Sequence, residues 1–259
     1  MKNSCPQLCL RLVEQKSSKP RRGAFLRVWL GAAVLSLAAM QLACSERLIF
    51  SPEAAIATFA PTDLPITFSR EADFGTAQPS TQARQMADAV LKSRDHAGSD
   101  FLIVDKKDAM LYVFGADGTL RGASAVLLGS AMGDDSVPDI GLRPIAQVRP
   151  EERTTPAGRF IAERGRNTLG EDVVWVDYDA AVSMHRVRAT NPKERRLERL
   201  ATPTADDNRI SYGCINVPLA FYETMVAPMF AAQRAIVYVL PDVKALTDVF
   251  SFPGLLRRS

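Results

Sequence analysis

Two short runs of strand-forming residues, Phe101-Leu102-Ile103-Val104 and Met110-Leu111-Tyr112-Val113-Phe114, stand on either side of the polar turn Lys106-Lys107-Asp108. A chain built this way folds back on itself as an antiparallel hairpin. Asp117-Gly118 supplies a second turn, and Ala123 to Leu128 a third strand, so the pattern predicts a meander. Further on, Thr155-Pro156-Ala157-Gly158-Arg159-Phe160 reads as a tight turn entering a strand, and Val173 to Tyr178 as another strand. Ala235 to Leu240, ended by Pro241, reads as a buried final strand.

Helices are few. Pro79-Ser80-Thr81 opens one in which Ala83, Met86, Ala87 and Val90 recur at helical spacing, with Ala97-Gly98 as its stop. A second is expected after Pro218, through Leu219, Tyr222, Met225, Val226 and Met229, with Pro228 kinking or ending it. The expected fold is mostly β, a β-rich sandwich or barrel-like domain over residues 98–242 with a few helices. Residues 79–97 form the helix before it and 243–259 a tail. A charged insert over 186–209 stands apart: Thr190-Asn191-Pro192-Lys193-Glu194 is a good helix start, with Leu197 and Leu200 packing and Arg195, Arg196 and Arg199 facing outward. It reads as a solvated helix or as a lid whose arginines meet substrate carboxylates.

The first 44 residues are a different kind of sequence. Seven Lys or Arg and one Glu occupy this stretch, and no charge falls between Val28 and Ser45. A basic region followed by an apolar one reads as an export signal or membrane anchor, and Gln41-Leu42-Ala43-Cys44 resembles a lipoprotein box. Residues 45–78, rich in Ala, Pro, Thr and Ser, read as a flexible tether. The whole chain of 259 residues carries a net charge of +3, but its 32 basic and 29 acidic residues leave 25 and 28 once the leader is removed. The body is therefore slightly acidic, which gives no reason to expect nucleic-acid binding. These features place it outside the cytoplasm, in the periplasm or cell envelope, with the membrane met through the N-terminal segment.

Cys214 is the only cysteine beyond residue 44, in Arg209-Ile210-Ser211-Tyr212-Gly213-Cys214-Ile215-Asn216-Val217-Pro218. Cys5 and Cys9 lie on the wrong side of the leader to bridge it, so the expectation is an unpaired thiol. A buried structural cysteine is the plain alternative. As a nucleophile the thiol needs a base, and the chain has two histidines, His96 and His185. His96 sits in a polar helix end, whereas His185 follows a strand region in Val182-Ser183-Met184-His185, so the economical pairing is Cys214 with His185. Gly213 permits a sharp turn in which the amides of Tyr212, Gly213 and Cys214 converge on one oxygen, and a helix beginning near Pro218 would aim its positive end at the thiol. No acidic residue adjoins His185, so its orientation must come from a backbone carbonyl or hydroxyl. No metal-spaced cluster or phosphate-cradling glycine motif is visible, and no cofactor is implied.

The string Ser211-Tyr212-Gly213-Cys214-Ile215-Asn216 resembles the Ser/Thr-His-Gly-Cys-apolar-Asn/Arg signature of bacterial L,D-transpeptidases, peptidoglycan cross-linking enzymes. The hairpin from Phe101 to Phe114, the Thr155 to Phe160 turn and the Met184-His185 pair resemble further motifs of that family. The resemblance implies Cys214 as nucleophile, His185 as general base, and the Arg186 carbonyl orienting the imidazole. It further implies oxyanion donors at the amides of Gly213 and Cys214, with Ser211 and Asn216 shaping the site. The implied partners are peptidoglycan stem peptides. Attack on the carbonyl of the third residue, a diamino acid, would expel the terminal D-Ala, and the thioester would pass to an amine.

Two features depart from the family pattern. Tyr212 stands where histidine is usual, and the segment between His185 and the signature is longer. A phenol with a pKa near ~10 is no base at neutral pH, but it can donate a hydrogen bond or line a groove. Three readings stay open: a transpeptidase, an L,D-carboxypeptidase or amidase that sends the thioester to water, and a catalytically silent wall-binding module.

Overall fold

The computed structural model describes residues 71–252, except residue 232, together with residue 255. The leader, residues 1–44, and the larger part of the tether lie outside this range. The strands in chain order are β1 (Phe101–Asp105), β2 (Met110–Phe114), β3 (Leu120–Ala125), β4 (Leu128–Gly129) and β5 (Gly158–Arg166). There follow β6 (Asp172–Asp177), β7 (Val182–Arg186), β8 (Arg209–Ser211), β9 (Ile215–Val217) and β10 (Ala235–Val239). The fold is mostly β with a few helices. Eight strands form one mixed sheet in the order β3-β2-β1-β10-β5-β6-β7-β9, and β4 and β8 pair separately.

The expected meander is present as antiparallel β1-β2 and β2-β3 pairs, with β3 starting three residues earlier than the sequence suggested. Two pairs are parallel, β1 with β10 and β7 with β9. Leu127, just past β3 at one edge of the sheet, exchanges both backbone hydrogen bonds with Asn216 in β9 at the other edge. The edges are thereby drawn towards each other, which leaves few backbone groups on them unpaired.

Period-two alternation divides the strands' side chains between two cores. Leu102, Val104, Leu111, Val113, Met184, Ile215, Val237 and Val239 join Tyr222 and Val226 in one cluster. Phe101, Ile103, Tyr112, Phe114, Ile236 and Tyr238 face the other way, against Ala83, Met86, Ala87 and Val90. Those four belong to α1 (Thr81–Ser93), whose first turn is capped by Ser80 Oγ accepting the Ala83 amide at 3.0 Å. β10 is buried at every position because it lies between β1 and β5 with a cluster on each face.

Both ends of the domain extend further than the sequence reading allowed. Residues 71–78 were assigned to the tether, yet the Asp73 amide bonds the Gly118 carbonyl at 3.0 Å, and Phe74 packs edge-on against Tyr112 and Phe114 at 5.6 and 5.0 Å. In the tail, Leu246 and Phe250 are buried in the same cluster. The physical reason is the aromatic cluster itself, which α1 alone does not cover. Among the described residues no helix is long and apolar enough to cross a membrane.

The second helical stretch runs from an α-turn, Leu219–Phe221, through a π-turn, Tyr222–Val226, into an α-turn, Ala227–Met229. Widening to i+5 bonds ahead of Pro228 is how this stretch accommodates the proline.

Candidate active site

The site is built where β7 and β9 run side by side. Their register pairs Met184 with Ile215, His185 with Asn216 and Arg186 with Val217. Met184 and Ile215 point into the core, so alternation turns Ser183, His185, Cys214 and Asn216 to the opposite face. Ser183 Oγ lies 3.6 Å from Cys214 Sγ, and that sulfur lies 3.8 Å from the Ala181 carbonyl oxygen. Ser183 was not foreseen. Its position two residues before His185 on a strand was the available signal.

A chain of hydrogen bonds defines the histidine. The imidazole Nδ1–H donates to the Arg186 carbonyl at 2.8 Å, which leaves the lone pair on Nε2. Asn216 Nδ2 lies 3.4 Å from that nitrogen and donates to the Cys214 carbonyl at 3.2 Å. Burial pushes the His185 pKa down to about 4; Arg196 and Arg188 push in the same direction, against the Arg186 carbonyl and Glu171. The ring is therefore neutral at pH 7, with Nε2 as its acceptor. His96, the other histidine, is buried against Phe101 with Nε2 at 3.2 Å from the Ala116 carbonyl, in the cluster on the other face of the sheet.

The turn before Cys214 is clamped by hydroxyl groups. Ser211 Oγ donates to the Cys214 carbonyl at 2.6 Å and accepts the Gly213 amide at 3.1 Å. An oxyanion role for the Gly213 amide would compete with Ser211 for that proton. Thr155 Oγ1 donates to the Gly213 carbonyl at 2.8 Å and accepts the Gly129 amide at 2.9 Å. Gly213 has φ +123°, and a Cβ there would stand 2.8 Å from the Thr154 carbonyl oxygen, so only glycine fits the approach. Thr155 was read as part of a turn and not as a site residue. Its role depends on a contact spanning 58 residues, which no local pattern announces.

Tyr212 lies beneath Arg153, whose guanidinium carbon is 3.9 Å from the ring centroid. Such stacking fixes the ring and leaves the positive charge close to the cysteine turn. The Arg186 side chain turns to Glu223 at 2.5 Å and to the Asp172 carbonyl at 2.9 Å, over the ring of Tyr222 at 4.3 Å. It thus braces the helical stretch, while its backbone carbonyl meets His185.

Two expectations are corrected. The helix expected to aim its dipole at the thiol starts at Leu219, beyond the whole of β9, roughly 10 Å along an extended chain, whereas a terminal dipole acts within about one turn. In the insert, Asn191 caps only a 3-10 turn, Pro192–Glu194, because Arg195 takes a left-handed φ of +50° and breaks the helix. The helix restarts as α2 (Arg196–Ala201) in a different phase. Leu197 is consequently 59% exposed, and Arg196 turns inward, pairing with Glu194 at 2.5 Å and donating Nη1 to Asn216 Oδ1.

No protein-family model matches the sequence, and no curated protein matches it. Solved structures do. They include L,D-transpeptidase catalytic domains. The catalytic domain of the E. faecium L,D-transpeptidase is 14% identical, with 56% of this chain and 99% of that one covered at a TM-score of 0.30. The LD transpeptidase LdtMt1, solved in complex with imipenem, is 16% identical over 55% of this chain and 59% of its own, at 0.32. The helical cell shape determining protein Pgp2 from Campylobacter jejuni is 15% identical over 56% of this chain, at 0.38. The match spans about half of Pgp2, 49% of its length. Among the described residues no group of three or more His, Cys, Asp or Glu is placed to hold a metal ion.

Proposed function

We infer that the domain, which includes residues 71–97 and the segment through Phe250 as well as residues 98–242, acts as a peptidoglycan L,D-transpeptidase, tethered in the cell envelope through the residues that precede it. The observation that carries this reading is the parallel β7-β9 pairing, which sets His185, Asn216 and Cys214 on one face. The Nδ1–H bond to the Arg186 carbonyl presents the Nε2 lone pair as a base. The Ser-Tyr-Gly-Cys-Ile-Asn signature supports the same reading.

In the reduced protein, Nε2 takes the Cys214 proton as sulfur adds to the carbonyl of the third stem-peptide residue. Collapse of the tetrahedral adduct breaks the peptide bond. The departing D-Ala amine receives the proton from His185, leaving a thioester on Cys214. An acceptor amine then adds, loses its proton to His185, and restores the thiol as a new amide forms. With its pKa near 4 the imidazole rests neutral, so its Nε2 lone pair is available to take the thiol proton as the sulfur attacks. Substrate that reorganises the polar groups around the ring would raise its basicity.

The test is the reduced full-length chain with a disaccharide-tetrapeptide. Free D-Ala and a dimer linked between diamino acids are expected, together with one carbapenem adduct by intact mass, and Cys214→Ala should abolish all three. Tripeptide without dimer would reassign the domain as a carboxypeptidase. A folded, reduced protein that binds cell walls but is neither acylated nor active would make it a binding module.

A further inference from the structure

Two arginines of the insert region stand by the histidine and are not used by the chemistry above. Arg196 leaves α2 inward and donates Nη1 to Asn216 Oδ1, and Asn216 in turn lies 3.4 Å from His185 Nε2. Arg188 follows β7 and holds Glu171 through Nη2 at 3.0 Å, while its Nη1 is buried with no hydrogen-bond acceptor among the described residues. Both guanidinium groups are close enough to oppose charge on His185. A buried guanidinium nitrogen with no acceptor is a costly arrangement, and a carboxylate oxygen is the group its geometry matches.

Resting on the transpeptidase reading, we propose that Arg188 and Arg196 form the subsite that receives a free carboxylate of the donor stem peptide. The carboxylate accepts from Arg188 Nη1 and competes with Asn216 for Arg196. Asn216 links this event to the base: when Arg196 turns to the substrate, the Asn216 amide is no longer pinned through Oδ1 and its hold on Nε2 relaxes. Two carboxylates of such a donor have the required chemistry, that of the terminal D-Ala and that on the side chain of the diamino acid. Glu171 and Glu194 already pair with the two cations, so a single added negative charge, not a polyanion, is what the site fits.

The experiment is calorimetric titration of full-length Cys214→Ala, which binds without reacting. The ligands are a tetrapeptide with both carboxylates free, one amidated at the C-terminus, and one amidated on the diamino-acid side chain. Amidation of the recognised carboxylate is expected to weaken binding about tenfold or more, and amidation of the other to change it little. Adding Arg188→Gln or Arg196→Gln should weaken the free peptide by a similar factor and erase the difference between free and amidated ligands, with Arg196→Lys restoring part of it. An amidation penalty that survives both glutamine variants, or binding indifferent to amidation at both positions, overturns the proposal. Wild-type turnover measured alongside separates the two claims, since an active enzyme with an unaltered amidation penalty sinks only the subsite, and an inactive one sinks the transpeptidase reading.

Discussion

His185 is buried as a neutral ring, and that sets how the domain answers pH. Its folded pKa of about 4 lies below the value near ~6.5 of an unfolded histidine. Between those values the unfolded chain binds the proton and the folded one does not, so stability falls as pH drops through this window and levels off below about 4. The full shift corresponds to a loss on the order of 3 kcal/mol. Urea midpoints from pH 7 to pH 4 should therefore decline more steeply for wild type than for His185→Gln, and equal slopes would show that the ring is not held neutral. The same residue was legible in the sequence because histidine is scarce, yet its environment was not. Burial and the two arginines come from segments whose positions only the fold supplies.

Elements meet at Thr155, where the turn entering β5 supports both β4 and the turn into β9. Its hydroxyl satisfies the Gly129 amide and the Gly213 carbonyl together. Thr155→Val keeps the shape and leaves both backbone groups buried without that partner, at an expected cost of about 2–4 kcal/mol. Acylation by a carbapenem should slow as well, because the Gly213 turn loses its brace, whereas Thr155→Ser should keep most of both. Unfolding midpoints and acylation rates measured on the two variants decide this, and a Val variant matching wild type in both would remove Thr155 from the site. Strand runs such as Phe101 to Phe114 and the α1 stripe were readable because their periods are local. The inward turn of Arg196 was not, because one left-handed residue, Arg195, reset the helix phase that the spacing of Leu197 and Leu200 assumed.

Across the whole domain, distant segments are joined by a buried charge cluster centred on Lys106, which the sequence presents as one residue of a polar turn. Its ammonium is fully buried and meets Asp134 at 3.0 Å, Asp242 at 3.3 Å and the Thr155 carbonyl at 2.9 Å. Arg209, at the start of β8, adds a bond to Asp242 at 2.6 Å and another to the Lys106 carbonyl at 2.6 Å. Burial alone would raise the pKa of Asp134, but the amides of Lys244, Asp242 and Val243 and the Lys106 ammonium outweigh it and bring it down to about 2. The cluster thus ties the β1-β2 turn, the chain after β10 and the strand leading to Cys214 to Thr155, the residue that braces Gly213. Lys106→Met preserves volume but strands buried carboxylates, for which a loss of about 3–5 kcal/mol is expected. For a domain of this size that is a fall in melting temperature of roughly 10 °C. Lys244→Met is the control: its pair with Asp135, at 2.6 Å, is exposed, so removing it should leave the melting temperature close to that of wild type. If both variants melt together with wild type, the cluster does not hold these segments. If only Lys106→Met falls, and its carbapenem acylation slows at temperatures where it remains folded, then the geometry of Cys214 depends on a lysine 108 positions earlier in the chain.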